Sequence, residues 1–428
     1  VTQDPDPMLY PNESDADGGP RGVSRRLLLA SGATAGAAAT AGCTGADDGD
    51  DDNREPDSDG ATVFVFNTGD GTVSLLDPGS DSVVATQSLG LSSSFPSNQY
   101  TPELTDASTD SLWLNVGRGV RALEVGSLSE TASVETGSGA NWLEQTPDGQ
   151  HLLVSAREPA HTQFRLDADP DSETFGEITG ELDRTAEGGR GSNDGPGPCD
   201  VTIHPEGAYA YVPDLFGDTL TVLSIEPFEI VTQIDVEPVG DGPAAPWMGT
   251  AAPDGQTLLV EHNEGETGTE SVWDLSDPAA PTETARLTAA DNLGSRPLTS
   301  EIGPDSEIGY VFTPGSNDVT VVDLAEAAVT DRLDLGGSAF VGTWNPARTK
   351  LYVPVQTSDE VAVIDHDQRR IVERIAVESS PYGATAAQVR PETDSASSIE
   401  ARMARVGLED EPSETTYCLG KCACGHEL

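Results

Sequence analysis

The sequence predicts an all-β chain folded as a seven-bladed β-propeller of four-stranded antiparallel blades, with the first blade closed by a C-terminal strand. Three observations carry this. A proline turn recurs as Pro147-Asp148-Gly149, Pro205-Glu206-Gly207, Pro253-Asp254-Gly255, Pro304-Asp305-Ser306, Pro346-Ala347-Arg348 and Pro391-Glu392-Thr393. Proline presets φ for the second position of such a turn, and glycine tolerates the positive φ near its end. A second kind of run recurs seven times, at 62–66, 111–115, 151–155, 208–212, 257–261, 308–313 and 350–354. Its Val/Ile/Leu alternation with Thr and Ser reads as strand. Finally, the two ends of the repeat region overlap: the first unit starts at its second strand, Thr62, and an extra first-type run, Gly383–Val389, follows the last unit. That run can complete the first blade and remove its exposed edge.

The unit is clearest at 198–236, where four short β-rich runs follow one another: Val201–His204, Ala208–Val212, Leu220–Ile225 and Ile230–Val236. The third run often ends in an acid, as in TVSLLD at 72–77, DVTVVD at 318–323 and EVAVID at 360–365. The second blade has the weakest signal, because Ser93–Ala107 lacks the proline turn. Residues 61–90, ATVFVFNTGDGTVSLLDPGSDSVVATQSLG, resemble the YVTN family of β-propellers. The resemblance extends over about residues 61–391; it implies architecture and leaves function open.

Charge sets the outer limits on function. The 428 residues carry 74 Asp+Glu against 22 Lys+Arg, a formal net charge of -52. A surface this acidic repels phosphate, which excludes a nucleic-acid partner. Lys350 and Lys421 are the only lysines, and the acids spread along the whole chain. At molar salt the Debye length falls to about 3 Å and most of the self-repulsion is screened. The composition resembles proteins of extreme halophiles, where the charge is an adaptation to solvent.

The N-terminus reads as an address. Arg25-Arg26 precede Leu27-Leu28-Leu29 and a small-residue run to Gly42. The run is too weakly apolar for a spanning helix, which needs about 20 predominantly apolar residues, and fits a signal peptide. The paired arginines resemble a twin-arginine export signal. Thr40-Ala41-Gly42-Cys43 resembles a lipobox, with Cys43 as the lipidated first residue. The expected organisation is therefore a signal region at 1–42, an acidic tether at 43–60, the propeller at 61–392 and a tail at 393–428. The expected location is the outer face of the cytoplasmic membrane, held by the lipid.

A propeller gathers its innermost strands around a central channel, the usual ligand site. The residues expected at the starts of those strands are Asn98–Tyr100, Asn141, Trp142, Cys199, Asp200, Trp247, Met248, Phe340 and Tyr382. They form an aromatic, neutral set that either holds a small organic ligand or plugs the axis. Residues 196–226 also resemble lactonase-type propellers. Their GPH and VPDLG stretches correspond to Gly197-Pro198-Cys199 and Val212-Pro213-Asp214-Leu215, with Cys199 in place of His and Phe216 in place of Gly. Lactone opening without a metal needs a general base and a cation for the oxyanion. The sequence does not assemble that set, so no catalytic residue is assigned. The histidines at 151, 161, 204, 262 and 366 are isolated and read as surface or turn residues.

In the tail, 393–407 fits a short amphipathic helix, and Cys418, Cys422, Cys424 and His426 lie within nine residues. Three thiolates and an imidazole suit Cu(I) or Zn(II). An exported tail also meets oxidising conditions, where one disulfide and a free thiol are the alternative. The leading expectation is a non-enzymatic, lipid-anchored propeller that binds a protein or small-molecule ligand, with a soft-metal or redox-active tail. The alternative is a lactonase-like hydrolase or an oxidoreductase using the channel.

Overall fold

The computed structural model describes residues 60–97, 105–191 and 194–392. Cys43, the signal region, the tail cluster of Cys418, Cys422, Cys424 and His426, and Asn98–Tyr100 lie outside the described residues, as does the side chain of Asn141. Among the described residues, no helix is long and apolar enough to cross a membrane.

Seven antiparallel sheets follow one another along the chain. Blade 1 holds β1 (Thr62–Asn67), β2 (Thr72–Asp77) and β3 (Ser82–Ser88). Blade 2 holds β4 (Ser111–Val116), β5 (Gly119–Glu124) and β6 (Glu130–Glu135). Blade 3 holds β7 (Ala140–Gln145), β8 (His151–Ala156), β9 (Thr162–Asp167) and β10 (Ile178–Asp183). Blade 4 holds β11 (Thr202–Ile203), β12 (Tyr209–Asp214), β13 (Thr219–Ser224) and β14 (Glu229–Asp235). Blade 5 holds β15 (Pro246–Ala251), β16 (Thr257–His262), β17 (Thr269–Asp274) and β18 (Thr282–Leu287). Blade 6 holds β19 (Thr299–Ile302), β20 (Ile308–Thr313), β21 (Asp318–Asp323) and β22 (Ala328–Asp334). Blade 7 holds β23 (Thr343–Trp344), β24 (Lys350–Val355), β25 (Glu360–Asp365) and β26 (Arg370–Ala376). The last strand, β27 (Pro381–Ala387), returns to blade 1 and becomes its innermost strand.

The closure lies where the overlapping ends place it. Thr62 pairs with Ala387, Phe64 with Thr385 and Val65 with Ala384. The same strand secures blade 2. Thr385 Oγ1 donates to Ser97 O at 2.6 Å, and Thr105 Oγ1 donates to Ala386 O at 2.8 Å. Gly383 is required here, since a Cβ would meet Ser93 O at 2.4 Å. Blade 2 shows three strands among the described residues. On its inner edge Ser97 N bonds Trp113 O at 2.7 Å, and Asn115 Oδ1 accepts from Ser93 Oγ and Phe95 N. Side chains thus do part of the pairing where the proline turn is missing.

Burial sorts the strands by radius. All six residues of β1 and of β4 are buried, whereas β3 and β14 alternate between exposed and half-buried. Apolar clusters fill each gap between neighbouring blades. One joins Ile308, Tyr310 and Phe312 of blade 6 to Leu351, Val353 and Ala362 of blade 7. Another joins Leu258 and Val260 of blade 5 to Tyr211 and Val222 of blade 4. Each blade therefore buries both faces against its neighbours, which is why no single blade could stand alone. The pair formed by the third and fourth strands breaks register in every blade, as at Leu75/Leu76 and Val222/Leu223. Such bulges add local twist.

Candidate functional site: the central channel

The described strand-start residues meet in one apolar cluster. Trp142, Cys199, Trp247, Met248, Phe340 and Tyr382 belong to one apolar cluster with Phe95, and each is buried. Phe95 lies 4.8 Å from Trp142 and packs edge-on to Tyr382 at 5.8 Å, between ring centroids. Phe340 stacks on Tyr382 at 4.8 Å. Trp247 Nε1 donates to Pro297 O at 3.1 Å. Cys199 is buried as well, and Arg157 Nη1 stands 3.6 Å from its sulfur. Arg157 is itself fully buried and paired with Glu158.

The loop from β10 to β11 leads to Cys199. Arg184 and Asp214 are both fully buried and joined by two bonds of 2.7 and 2.8 Å. Glu187 takes the other donors of Arg184, while Thr219 and Thr221 donate to Asp214. Asp214, the acid of the lactonase-like stretch, is thus committed to a clamp that ties the exit of blade 3 to blade 4. Further along the loop, Gly197 N donates to His161 Nδ1 at 3.2 Å, and a Cβ at Gly195 would meet the His161 ring at 2.2 Å. His161 and His262 are fully buried, contrary to the surface reading. Burial holds His262 well below the usual imidazole range. Its Nδ1 lies 3.2 Å from Ala244 O and its Nε2 2.7 Å from Ser271 Oγ, which suits a neutral ring.

Beyond the rings the channel is lined with acids. Asp200 accepts from Gly249 N and Val201 N, both at 2.6 Å, so it ties blade 4 to blade 5. Burial nevertheless lifts its carboxyl well above the usual range, and the nearby Glu144 and Glu261 add to the lift. Glu144 accepts from Ile203 N at 3.2 Å, and burial pushes its pKa up to about 8. Burial also raises Glu301 well above the usual range, against the pull of Arg348. Burial of this kind favours the protonated carboxyl, which can both donate and accept hydrogen bonds.

Glu144 and Glu301 border a cavity of about 150 Å³ at the end of the channel where the proline turns lie. That is far more than one water needs, about 10–15 Å³. Inner strands of five consecutive blades contribute Glu144, Thr202, Thr250, Glu301 and Trp344, and the turns contribute Pro147, Pro205, Pro253 and Arg348. Arg348 takes the place that glycine holds in three of the turns, and its φ is +53°, in the left-handed region. A non-glycine residue held there marks a position the surrounding fold dictates. Glu301 is 1 % exposed, and its carboxyl has the Trp344 side chain beside it and the charge of Arg348 within reach. Sequence reading missed Glu144, Glu301 and Arg348, because it looked to the opposite ends of the same strands. Among the described residues, no three His, Cys, Asp or Glu side chains converge as a metal site.

The fold and this channel define the chain as a seven-bladed β-propeller with an axial cavity. No family model matches the sequence, and no curated protein matches it. Solved structures do match in shape. A Lactobacillus plantarum protein superposes with a TM-score of 0.61 at 14% identity, covering 76% of this chain and 99% of its own. The periplasmic gluconolactonase of Pseudomonas aeruginosa gives 0.60 at 17% identity, covering 77% and 99%. A proposed 6-phosphogluconolactonase of Bacteroides fragilis gives 0.60 at 14%, covering 78% and 100%. At these identities the likeness is one of fold.

Proposed function

We propose that this protein is an exported, lipid-anchored binding propeller that takes a small polyhydroxylated molecule, of the size of one sugar ring, into its axial cavity. One observation carries the reading: the buried carboxyl of Glu301, with the Trp344 side chain beside it, lines a cavity that Glu144 and Arg348 share. Neutral carboxyls and a guanidinium match hydroxyl groups, and an indole wall matches the apolar face of a sugar ring. Cys43 supplies the membrane anchor and the acidic residues to 60 the spacer. The YVTN-like repeat and the halophile-like charge agree with a domain displayed outside the cell. The tail at Cys418, Cys422, Cys424 and His426 would hold Cu or Zn.

A lactonase-like reading has one observation of its own. The base and the cation that lactone opening needs lie in one cavity, as Glu144 or Glu301 and Arg348. An ionised carboxylate there would take a proton from water, the hydroxide would add to the ring carbonyl, and the acyl–oxygen bond would break as the ring oxygen gained the proton. The gluconolactonase name of one structural neighbour points the same way.

Calorimetric titration with gluconate and glucono-δ-lactone in molar KCl tests both. Saturable binding that weakens at least tenfold in Glu301→Gln and in Arg348→Gly is expected. Glycine suits the backbone at 348, so the second variant removes charge without strain. Equal affinities in all three proteins would overturn the assignment. Acid release above the spontaneous rate, lost in Glu144→Gln, would make the protein a hydrolase.

A further inference from the structure

Blade 5 departs from the other six at one cross-strand pair. The fifth residue of each second strand faces the second residue of the third strand. In six blades the pairs are Phe66/Val73, Asn115/Val120, Ser155/Gln163, Pro213/Leu220, Phe312/Val319 and Pro354/Val361. In blade 5 the pair is Glu261/Glu270. Elsewhere the polar members are satisfied: Ser155 bonds Gln163 at 3.0 Å, and Asn115 accepts from Ser93 and Phe95. Glu261 and Glu270 are fully buried, and none of their four carboxylate oxygens closes a hydrogen bond of ordinary geometry.

A third group faces them. Ser300, on the inner strand of blade 6, adjoins Glu261. Its hydroxyl is buried and closes no hydrogen bond of ordinary geometry. Strand alternation places Glu261 on the face of Leu259 and Glu270 on the face of Val272. Both of those apolar residues pack with Ile302 and Val311 of blade 6. The two carboxyls therefore lie between blades 5 and 6, within apolar walls. The charged groups around them are already engaged. Arg286, whose charge is felt at Glu270, bonds Glu264 and Glu283. Asp200, which feels the charge of Glu261, accepts from Gly249 N and Val201 N.

We infer that Glu261, Glu270 and Ser300 form a buried Ca²⁺ site that ties blade 5 to blade 6. Two carboxylates cancel a divalent charge, whereas a sodium or potassium ion would leave one negative charge in an apolar gap. Calcium accepts about six to eight oxygens in irregular geometry, and magnesium gives up its waters reluctantly.

The test uses the full chain, stripped with a chelator, near pH 8 and in about 1 M KCl so that surface carboxylates are screened. Calcium is expected to raise Tm by a few degrees, saturably, with one ion per chain, and magnesium to act at least tenfold more weakly. The Glu261→Gln/Glu270→Gln double variant is expected to lose the calcium response and to melt higher than the chelated parent. A parent Tm indifferent to calcium, or an equal response in the double variant, would overturn the site. Should the variant not fold, calcium retained by the parent after gel filtration decides. One ion per chain supports the site, and none refutes it.

Discussion

Asp214→Ala is expected to lower the unfolding free energy by about 3–5 kcal/mol, the usual cost of removing one partner of a buried ion pair. The reason is geometric. Asp214 and Arg184 are both fully buried and doubly bonded to each other, so the alanine leaves a guanidinium with only Glu187 for charge compensation. The clamp also fixes the start of the loop that leads to Cys199, so the loss should propagate to Cys199 and the rings. Urea unfolding in molar KCl, followed by tryptophan fluorescence, measures it. Trp142 and Trp247 sit in the affected cluster and report locally. Asp214→Asn, whose amide oxygen in the place of Oδ2 keeps the contacts with Arg184, Thr219 and Thr221, should cost clearly less. A loss under about 1 kcal/mol for the alanine variant would mean that the clamp is solvated and weak.

The second large effect is on pH dependence. Glu144 binds its proton in the folded state up to about pH 8, against a usual 4.5. A raised acid of this kind favours folding at low pH. Its contribution is fully present below 4.5 and is lost as pH rises through about 8. The shift corresponds to about 5 kcal/mol at roughly 1.4 kcal/mol per unit. Asp200 and Glu301 act in the same direction. With a chelator and molar KCl present, Tm is expected to fall steadily between about pH 5 and pH 8. Glu144→Gln should flatten that fall. Identical slopes for the two proteins would show that Glu144 is ionised and solvated at neutral pH.

The propeller was legible because its punctuation is local. A proline turn and a Val/Ile/Leu run need no distant partner to be recognised, and all seven second strands begin within one residue of the positions read from them. The closing strand was legible too, though it begins at Pro381 and ends at Ala387, two residues earlier than Gly383–Val389. The acids of the channel were not. Glu144 in ANWLEQ and Glu301 in TSEI look like the solvent-facing members of a half-buried strand. In a chain with 74 acids nothing marks these as inward-facing. Inner strands break the usual reading because both of their faces are covered. Glu261 and Glu270 did carry a signal, since superposing the seven repeats isolates them as the charged pair. The site was sought at the strand starts, where the large rings are, but large rings fill space. The cavity lies where smaller residues and turns meet.

The central claim is that ligand enters the proline-turn end of the channel and bonds Glu301. Difference density in crystals soaked with gluconate tests it most directly. The account predicts density between Glu144, Glu301 and Trp344, within hydrogen-bond distance of a Glu301 oxygen and absent from Glu301→Gln crystals. Density at the ring cluster of Phe95, Trp142 and Tyr382 instead, with the cavity unchanged, would contradict it.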